Sequence, residues 1–312
     1  MSKFGEFELI DLIRKANKIK DKRVLVGIGD DCAVIAEDAK KLMLATTDML
    51  VENEHFTLKF DPFLIGEKSM TINVSDIAAM GGVPKYALVS VGLKGSESLD
   101  FVKKLYAGMK SACRKYGFEL VGGDTVHSNR VIVSVTLLGE VEKGNYILRS
   151  GAKVDDYVLV TGCLGAGAAN LLAGKIYIPK IHVKLARELA KRKLVNAMID
   201  ISDGLSSEIN HIAKESGTGA EIYEECIPVS KEVLRIAKRY GKDPVKLALN
   251  GGEDYELLFT VEPDKLFDAV ALSKEYSDTR VLGRIVPKKQ KVTIMKKGKK
   301  RFLPAGGYDH FN

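Results

Sequence analysis

Acidic residues in this chain recur inside short turns rich in Gly, Ser and Thr, next to strongly apolar segments. The motifs are GIGDD, TTD, NVSDIAAMGG, GGDT, DISDG and GGED. The acids within them are Asp30, Asp31, Asp48, Asp76, Asp124, Asp200, Asp203, Glu253 and Asp254. A single Asp in such a setting is usually a turn residue or a helix N-cap. Because these acids flank predicted strand ends or helix starts, we expect the set to converge at sheet edges.

Carboxylates gathered at one place repel one another unless a cation lies among them. Hydroxyl groups accompany the acids in the same motifs, on Thr46, Thr47, Ser75 and Ser202. Oxygen ligands of this kind suit Mg²⁺, and no spacing of His and Cys suits zinc. The sequence therefore predicts magnesium on an aspartate scaffold, and magnesium held in this way usually accompanies phosphate substrates.

The composition is that of an ordinary globular protein, with 46% hydrophobic and 29% charged residues among 312. This excludes a disordered, collagen-like or disulfide-framework protein, and the length suggests two domains. The four cysteines form no CxxC pair, which predicts a reducing, cytoplasmic location. The acid-bearing N-terminal segment MSKFGEFELIDLIRK is not expected to be a signal peptide.

The formal net charge of +7 suggests an anionic partner such as nucleic acid. However, residues 288–301 carry eight basic residues and no acid. Without this segment the chain has 40 basic and 41 acidic residues, a net charge of −1. The excess is therefore local, on a segment that resembles a hairpin, and nucleic-acid binding is not predicted.

Apolar periodicity predicts helices over 6–19, 65–80 and 97–116, with strands between them. The polar segment 149–156 is the best domain boundary, and beyond it strand, Gly turn and helix recur. The first half is expected to be an α+β sandwich with long strands and the second to form α/β layers. Residues 157–174 carry no charge, but their four glycines favour a strand, turn and helix over a membrane span.

The common nucleotide-binding motifs are absent: there is no GxxxxGK[ST] and no protein-kinase motif set. The loop GCLGAGAAN approaches the Rossmann GxGxxG pattern but lacks its third glycine. Two interpretations stay open for this loop. Its backbone N–H groups face an anion, or it forms a tight turn between strand and helix.

An ordered series of motifs spans the chain from Gly5 to Phe311: GEFELI, GIGDD, TTDMLVENEHF, NVSDIAAMGG, GGDT, RSGA, TGCLG, DISDGL, GGEDYELLF and GGYDHF. The series resembles the thiamine-monophosphate kinases, in the superfamily of aminoimidazole ribonucleotide synthetase and selenophosphate synthetase. The resemblance implies ATP- and Mg²⁺-dependent phosphorylation of thiamine phosphate to thiamine diphosphate. It implies an α+β fold with a ferredoxin-like N-terminal α/β sandwich, residues 1–148, whose strands form a dimeric barrel in a homodimer. A C-terminal α/β domain, residues 149–312, would complete the site.

The same resemblance implies roles for individual residues. Magnesium would be held by Asp31 or its neighbour Asp30, and by Asp48, Asp76, Asp124, Asp200 and Asp203. Nucleotide contacts would come from Thr46, Thr47, Gly123, Asp124, Arg149 and Ser202, with Tyr106 either stacking on adenine or lying in the core. Substrate contacts would come from His55, from Tyr308, where the family commonly has Trp, and from Glu253 or Asp254. A carboxylate at position 253 would form a Coulomb pair with the cationic thiazolium ring.

The expected chemistry needs no strong general base. A phosphate monoester has a second pKa of about 6 and is mostly ionised at neutral pH. The obstacle is repulsion between this anion and the γ-phosphate of ATP, which magnesium ions relieve.

Glu54, which precedes His55, stands where the family usually has a small or neutral residue. Two alternatives are less well supported by the sequence. A ligase that activates an amide or acyl oxygen with ATP is disfavoured by the TTDMLVENEHF and GGYDHF motifs, and a basic nucleic-acid-binding protein rests on the net charge alone.

Overall fold

The computed structural model describes residues 6–17 and 19–307. The helices in this part are α1 (Glu6–Ala16), α2 (Pro62–Ala79), α3 (Leu99–Tyr116), α4 (Ala166–Leu172), α5 (Val183–Lys191), α6 (Leu205–Ser216), α7 (Lys231–Arg239), α8 (Pro244–Asn250) and α9 (Leu266–Lys274). The strands are β1 (Val24–Val26), β2 (Ala33–Ala36), β3 (Lys41–Val51), β4 (Val83–Leu93), β5 (Glu119–His127), β6 (Ile132–Glu142), β7 (Tyr157–Thr161), β8 (Ala197–Asp200), β9 (Gly219–Tyr223), β10 (Leu257–Val261), β11 (Thr279–Val286), β12 (Val292–Lys296) and β13 (Lys299–Phe302).

The first sheet has the strand order β1-β2-β3-β6-β4-β5, and only the pair β4–β5 is parallel. Helix α2 packs against α3 and against strands β3, β6 and β4. The elements from β3 onward in this half follow the order β3-α2-β4-α3-β5-β6, whereas a ferredoxin-like fold has the order β-α-β-β-α-β. The ferredoxin-like prediction is therefore wrong, because two strand-helix-strand units follow one another before β6 returns between β3 and β4.

The second sheet has the order β13-β12-β9-β11-β7-β10-β8, and only the pair β12–β9 is parallel. Strands β7, β8 and β9 are joined through helices and run in one direction, as the recurring strand, turn and helix predict. The later strands β10 and β11 insert between them in the opposite direction. The sheet is consequently mixed and mainly antiparallel rather than a parallel α/β layer.

The two sheets share one hydrophobic core. Buried residues of α2, including Ile77 and Met80 next to its end, cluster with Leu189 of α5 and Phe259 of β10. Helix α2 also contacts α5 and β8. This helix therefore lies at the junction of the two halves, where its side chains face both.

Most predicted elements are confirmed. Helix α3 begins after Ser98, whose hydroxyl accepts the Phe101 N–H, and ends at Gly117 in the left-handed conformation. The uncharged segment 157–174 forms β7 and α4, and none of the described helices meets the length and apolarity needed to span a bilayer. The sequence patterns did not reveal β1, β2, β9 and α8, none of which is longer than seven residues.

The basic segment 288–301 forms the hairpin β12–β13 at one edge of the second sheet, as expected. Lys296 is paired with Glu224 at 2.6 Å, and Lys300 with Glu221 at 2.6 Å. Charged lysines on an edge strand protect it from pairing with another chain. Acids next to the hairpin therefore compensate part of the local charge excess.

Candidate active site

Three carboxylates meet at the junction of the two halves. One oxygen each of Asp31, Asp76 and Asp200 lies within 4.8 Å of the others. Asp31 precedes β2, Asp200 ends β8, and Asp76 comes from the last turn of α2. The predicted convergence is thus observed for acids that lie up to 169 positions apart.

The prediction that the nine motif acids lie at strand ends or helix starts is wrong for three of them. Asp48 lies within β3 and Asp124 within β5, and Asp76 lies near the end of a helix. Both strands continue past their Gly or Thr residues because neighbouring strands pair with them throughout. Helix α2 continues to Ala79 because its apolar residues are buried along its whole length.

The cluster disfavours ionised carboxylates. Burial, followed by repulsion from Asp31, raises the pKa of Asp200 to about 8 and that of Asp48 to about 6. Burial and the carboxylates of Asp48, Asp200 and Asp31 raise the pKa of Asp76 well above its ordinary value. Burial and Asp31 raise the pKa of Asp30 to about 7. Such a group of acids binds protons or a cation.

The free oxygens of the cluster fit a divalent cation. Asp31 Oδ2, Asp200 Oδ2 and Ser75 Oγ are buried without a hydrogen-bond partner among the described residues. The hydroxyl of Thr46 donates to Asp76 Oδ2 at 2.5 Å, which fixes that carboxylate. Carboxylate and hydroxyl oxygens are the donors that Mg²⁺ prefers, so the residues present suit that ion.

Arg149 borders the cluster. Its Nε and Nη2 donate to Asp31 Oδ1 at 3.0 and 2.5 Å, and its backbone N–H approaches Asp30 at 3.3 Å. Asp31 therefore contributes its second oxygen to the carboxylate cluster, whereas Asp30 accepts backbone N–H groups from Arg149 and Asp31. The structure thus places Asp31, and not Asp30, in the cluster of three carboxylates.

A cavity of about 470 Å³ adjoins these residues and lies between the two halves. The residues predicted to bind metal, nucleotide or substrate that line it are Thr47, Asp48, His55, Ser202, Asp203 and Glu253. Glu54, Ile72 and Tyr255 also contribute to its wall. The cavity thus brings together residues from the TTD, ENEHF, DISDG and GGED motifs.

His55 is held by its own turn. Its Nδ1 accepts the Val51 N–H at 3.1 Å, so in the neutral ring Nε2 carries the proton and is a donor. Glu52 anchors the turn by accepting the Val131 N–H at 2.9 Å. Glu54, the residue that departs from the family pattern, pairs with Arg130 at 2.8 Å.

Tyr106, Gly123 and Asp124 lie elsewhere, along an open groove of about 520 Å³ over β4, β5 and α3. Asp124 is exposed and does not belong to the cluster of three carboxylates. Tyr106 is partly buried: it packs on the core and also borders the groove. A Cβ at position 123 would lie 1.8 Å from the Val89 carbonyl oxygen, so the backbone there requires glycine.

The glycine loop before α4 faces a carboxyl group of the protein itself. Asp254 is buried and its carboxylate accepts the N–H groups of Gly165 at 2.7 Å and Gly167 at 3.1 Å. Burial raises the pKa of Asp254 to about 7, and these backbone N–H groups oppose the shift. The loop's N–H groups are thus directed at a side chain of the protein, and Asp254 is buried against this loop whereas Glu253 lines the cavity.

Replacement of Asp254 by Ala is expected to lower the free energy of unfolding by about 2–4 kcal/mol, because it leaves backbone donors at a helix N-terminus unpaired. Urea denaturation followed by circular dichroism measures this loss. Asp243→Ala, at the exposed N-cap of α8, is the matched control and should cost about 1 kcal/mol. A loss at position 254 no larger than at position 243 would show that the buried contacts add nothing.

Sequence reasoning missed two charged residues here. Lys68 of α2 is buried, and its Nζ lies 2.5 Å from Glu253 Oε1. Glu208 of α6 is also buried and accepts the Asp203 N–H at 2.8 Å. The available signal was a charged residue on the apolar face of a predicted helix. Tyr308, the expected aromatic contact, lies outside the described residues.

Comparisons with known proteins agree with this architecture. Residues 29–141 match the family model of the AIR synthase related protein, N-terminal domain. Residues 169–296 match the model of the AIR synthase related protein, C-terminal domain. The two models together cover most of the chain.

Three curated relatives carry the same name. Thiamine-monophosphate kinase of Aquifex aeolicus is 40% identical over 83% of this chain and 87% of its own length. The enzyme of that name from Methanocaldococcus jannaschii is 35% identical over 90% and 93%. The one from Escherichia coli is 32% identical over 98% of both chains.

Solved structures have the same fold as this chain. A structure described as AaThiL complexed with AMPPCP and TMP matches with a TM-score of 0.85 and 36% identity over 98% of this chain and 97% of that one. The HypE-HypF complex matches with a TM-score of 0.78 over 95% and 98% but only 21% identity, which shows the fold alone. The chain belongs to the AIR synthase related proteins and, within them, to the thiamine-monophosphate kinase family.

Proposed function

We propose that this protein transfers the γ-phosphoryl group of ATP to thiamine monophosphate, giving thiamine diphosphate. One observation carries the proposal: the cavity that contains His55 and Glu253 also contains Asp48 and Asp203, next to the buried carboxylate cluster. A relative of the same fold is described in complex with an ATP analogue and TMP. The family membership and this shared site therefore support one reaction.

Magnesium is the metal that we propose for the site. Asp31 and Asp200 would hold it through the oxygens that have no partner among the described residues, together with a carboxylate oxygen of Asp76, and Asp30, Asp48 and Asp203 would lie beside them. When bound, Mg²⁺ would neutralise phosphate charge and align donor and acceptor for in-line transfer. Thr46 would keep the Asp76 carboxylate oriented, and Arg149 would keep Asp31 oriented.

The nucleotide and the substrate are assigned to the two concave surfaces. Tyr106, Gly123 and Asp124 line the open groove, which suits a flat base and a phosphate-linked metal. The nucleotide phosphates would reach Thr46, Thr47, Arg149 and Ser202 near the carboxylates. His55 and Glu253 would contact thiamine monophosphate in the cavity, and Tyr308 would add an aromatic face.

A homodimer through the first sheet is also proposed. Residues of β5 are exposed almost throughout, although the strand belongs to a six-stranded sheet. Large apolar side chains on this part of the sheet are exposed, namely Met49, Tyr86, Leu88, Val121 and Val126. A second copy that covers this face would form the dimeric barrel expected from the family. The domain boundary after residue 148 and a cytoplasmic location stay predictions.

The alternatives have less support. A ligase related to aminoimidazole ribonucleotide synthetase shares the fold, but the curated relatives reported above are thiamine-monophosphate kinases. A nucleic-acid-binding function would need a free basic surface, and two lysines of the β12–β13 hairpin are paired with acids.

The direct test incubates the purified protein with Mg-ATP and thiamine monophosphate and measures thiamine diphosphate by chromatography. Product should appear in proportion to ADP, and both should be absent when EDTA is in excess. Thiamine without its phosphate is the acceptor control. ADP formation that does not depend on thiamine monophosphate, without thiamine diphosphate, would contradict the proposed function.

A further inference from the structure

Lys68 is a buried cation at the junction of the two halves. Its side chain is 2% exposed, and its Nζ lies 2.5 Å from Oε1 of Glu253. Residues at positions i, i+4 and i+8 share one side of a helix, so Lys68 lies on the same stripe of α2 as Ile72 and Asp76. Ile72 lines the cavity and Asp76 belongs to the carboxylate cluster. Lys68 therefore stands on the side of α2 that builds the site.

Glu253 is constrained through its backbone. Its φ angle is +73°, in the left-handed region that residues other than glycine rarely adopt. The backbone of α4 approaches closely: a Cβ built at Gly167 would lie 2.7 Å from the Cβ of Glu253. The start of the Glu253 side chain is therefore fixed, and Lys68 determines where its carboxylate lies.

The ion pair changes the electrostatic role expected for Glu253. A buried ammonium is stable only when an opposite charge compensates it, and Glu253 supplies that charge. The Glu253 side chain is 23% exposed, and Glu253 lines the cavity. Its charge is already compensated, so it meets a ligand as an oriented hydrogen-bond acceptor rather than as a bare counter-ion for the thiazolium ring.

We infer that Lys68 is a positioning residue for thiamine monophosphate: it holds the Glu253 carboxylate across the junction, in the orientation that accepts a hydrogen bond from the substrate. The inference rests on the proposed function. It concerns a residue of the first half that acts on the substrate only through a residue of the second.

The test is a double-mutant cycle of Lys68→Met and Glu253→Gln, with initial rates measured while each substrate is varied. Lys68→Met should raise the KM for thiamine monophosphate about tenfold and leave the KM for ATP within about twofold. In the Glu253→Gln background the same change should add less than about twofold. The matched control is Lys104→Met, which breaks an exposed ion pair with Asp100 and should behave as the unmodified protein.

Each other result overturns the inference. An unchanged KM for thiamine monophosphate would mean that the pair does not serve substrate binding. An equal rise in both KM values would assign Lys68 a general structural role. A full effect in the Glu253→Gln background would mean that Lys68 acts without Glu253. If Lys68→Met melts below the assay temperature, Lys68→Gln takes its place in the cycle.

The proposed function fails separately. Unmodified protein that forms no thiamine diphosphate would overturn both the function and this inference. Active unmodified protein, combined with a Lys68→Met variant that keeps its KM for thiamine monophosphate, would overturn the inference alone.

Discussion

Replacement of Asp200 by Asn is expected to lower the rate of thiamine diphosphate formation at saturating Mg-ATP by at least about 10³-fold. Asp200 is buried at the end of β8, and its Oδ2 has no hydrogen-bond partner among the described residues. An amide keeps the shape of the side chain but removes the charge that would hold magnesium. Coupled measurement of ADP and thiamine diphosphate gives the rate.

The same substitution is expected to stabilise the metal-free protein. Burial, followed by repulsion from Asp31, raises the pKa of Asp200 to about 8, so ionisation of this carboxyl group opposes folding at pH 8.5. The melting temperature in EDTA should therefore rise by at least about 3 °C. Loss of activity together with a gain of stability separates a functional role from a structural one.

The matched control is Asp268→Asn, which makes the same chemical change at an exposed position on α9. Both its rate and its melting temperature should stay close to those of the unmodified protein. An Asp200→Asn variant that keeps more than about a tenth of the activity would contradict the assignment of Asp200 to the metal site.

Metal-free protein is expected to lose stability as the pH rises from about 5 to 8.5, and Mg²⁺ is expected to restore it. The folded-state pKa values of Asp48, Asp30 and Asp200 are about 6, 7 and 8, against an ordinary value of 3.8. The folded protein thus binds more protons than the unfolded chain in this range. Stability that is fully present below pH 3.8 is lost as the pH passes these values.

Scanning calorimetry in EDTA, repeated with excess Mg²⁺, measures the effect. At 100 times its dissociation constant the ion should add about 2.7 kcal/mol, and the gain should grow with pH as protons leave the site. NaCl at matched ionic strength controls for screening. An equal gain from NaCl, or a melting temperature independent of pH in EDTA, would contradict a cation site built from these acids.

The sequence predicted the helices and the convergence of acids because both depend on short-range patterns. The amphipathic run that ends at Gly117 identifies α3, and glycine motifs identify the acids. The mixed order of the second sheet could not be predicted, because β10 and β11 insert between strands that lie earlier in the chain. No local pattern encodes such pairing.

The site was predicted in part for the same reason. Motif residues such as His55 and Asp203 were identified, and the structure places both at one cavity. The sequence could not show whether Asp254 faces a ligand or the N-terminus of α4. The contacts that decide this join Asp254 to Gly165 and Gly167, which lie 89 and 87 positions earlier in the chain. The Lys68–Glu253 pair spans 185 positions, so only the folded chain brings it together.

The insertion of β10 and β11 has a consequence for the time course of folding. Strand β7 finds its two neighbours only among residues 257–286, so the centre of the second sheet stays unpaired until most of the chain has left the ribosome. In contrast, the strands β1 to β6 of the first sheet are complete once residue 142 has emerged. We expect the first sheet to assemble during synthesis and the second to wait, because long-range pairings form late. The Asp200 carboxylate would join Asp31 and Asp76 only in that last step, so metal binding would report on the completed fold.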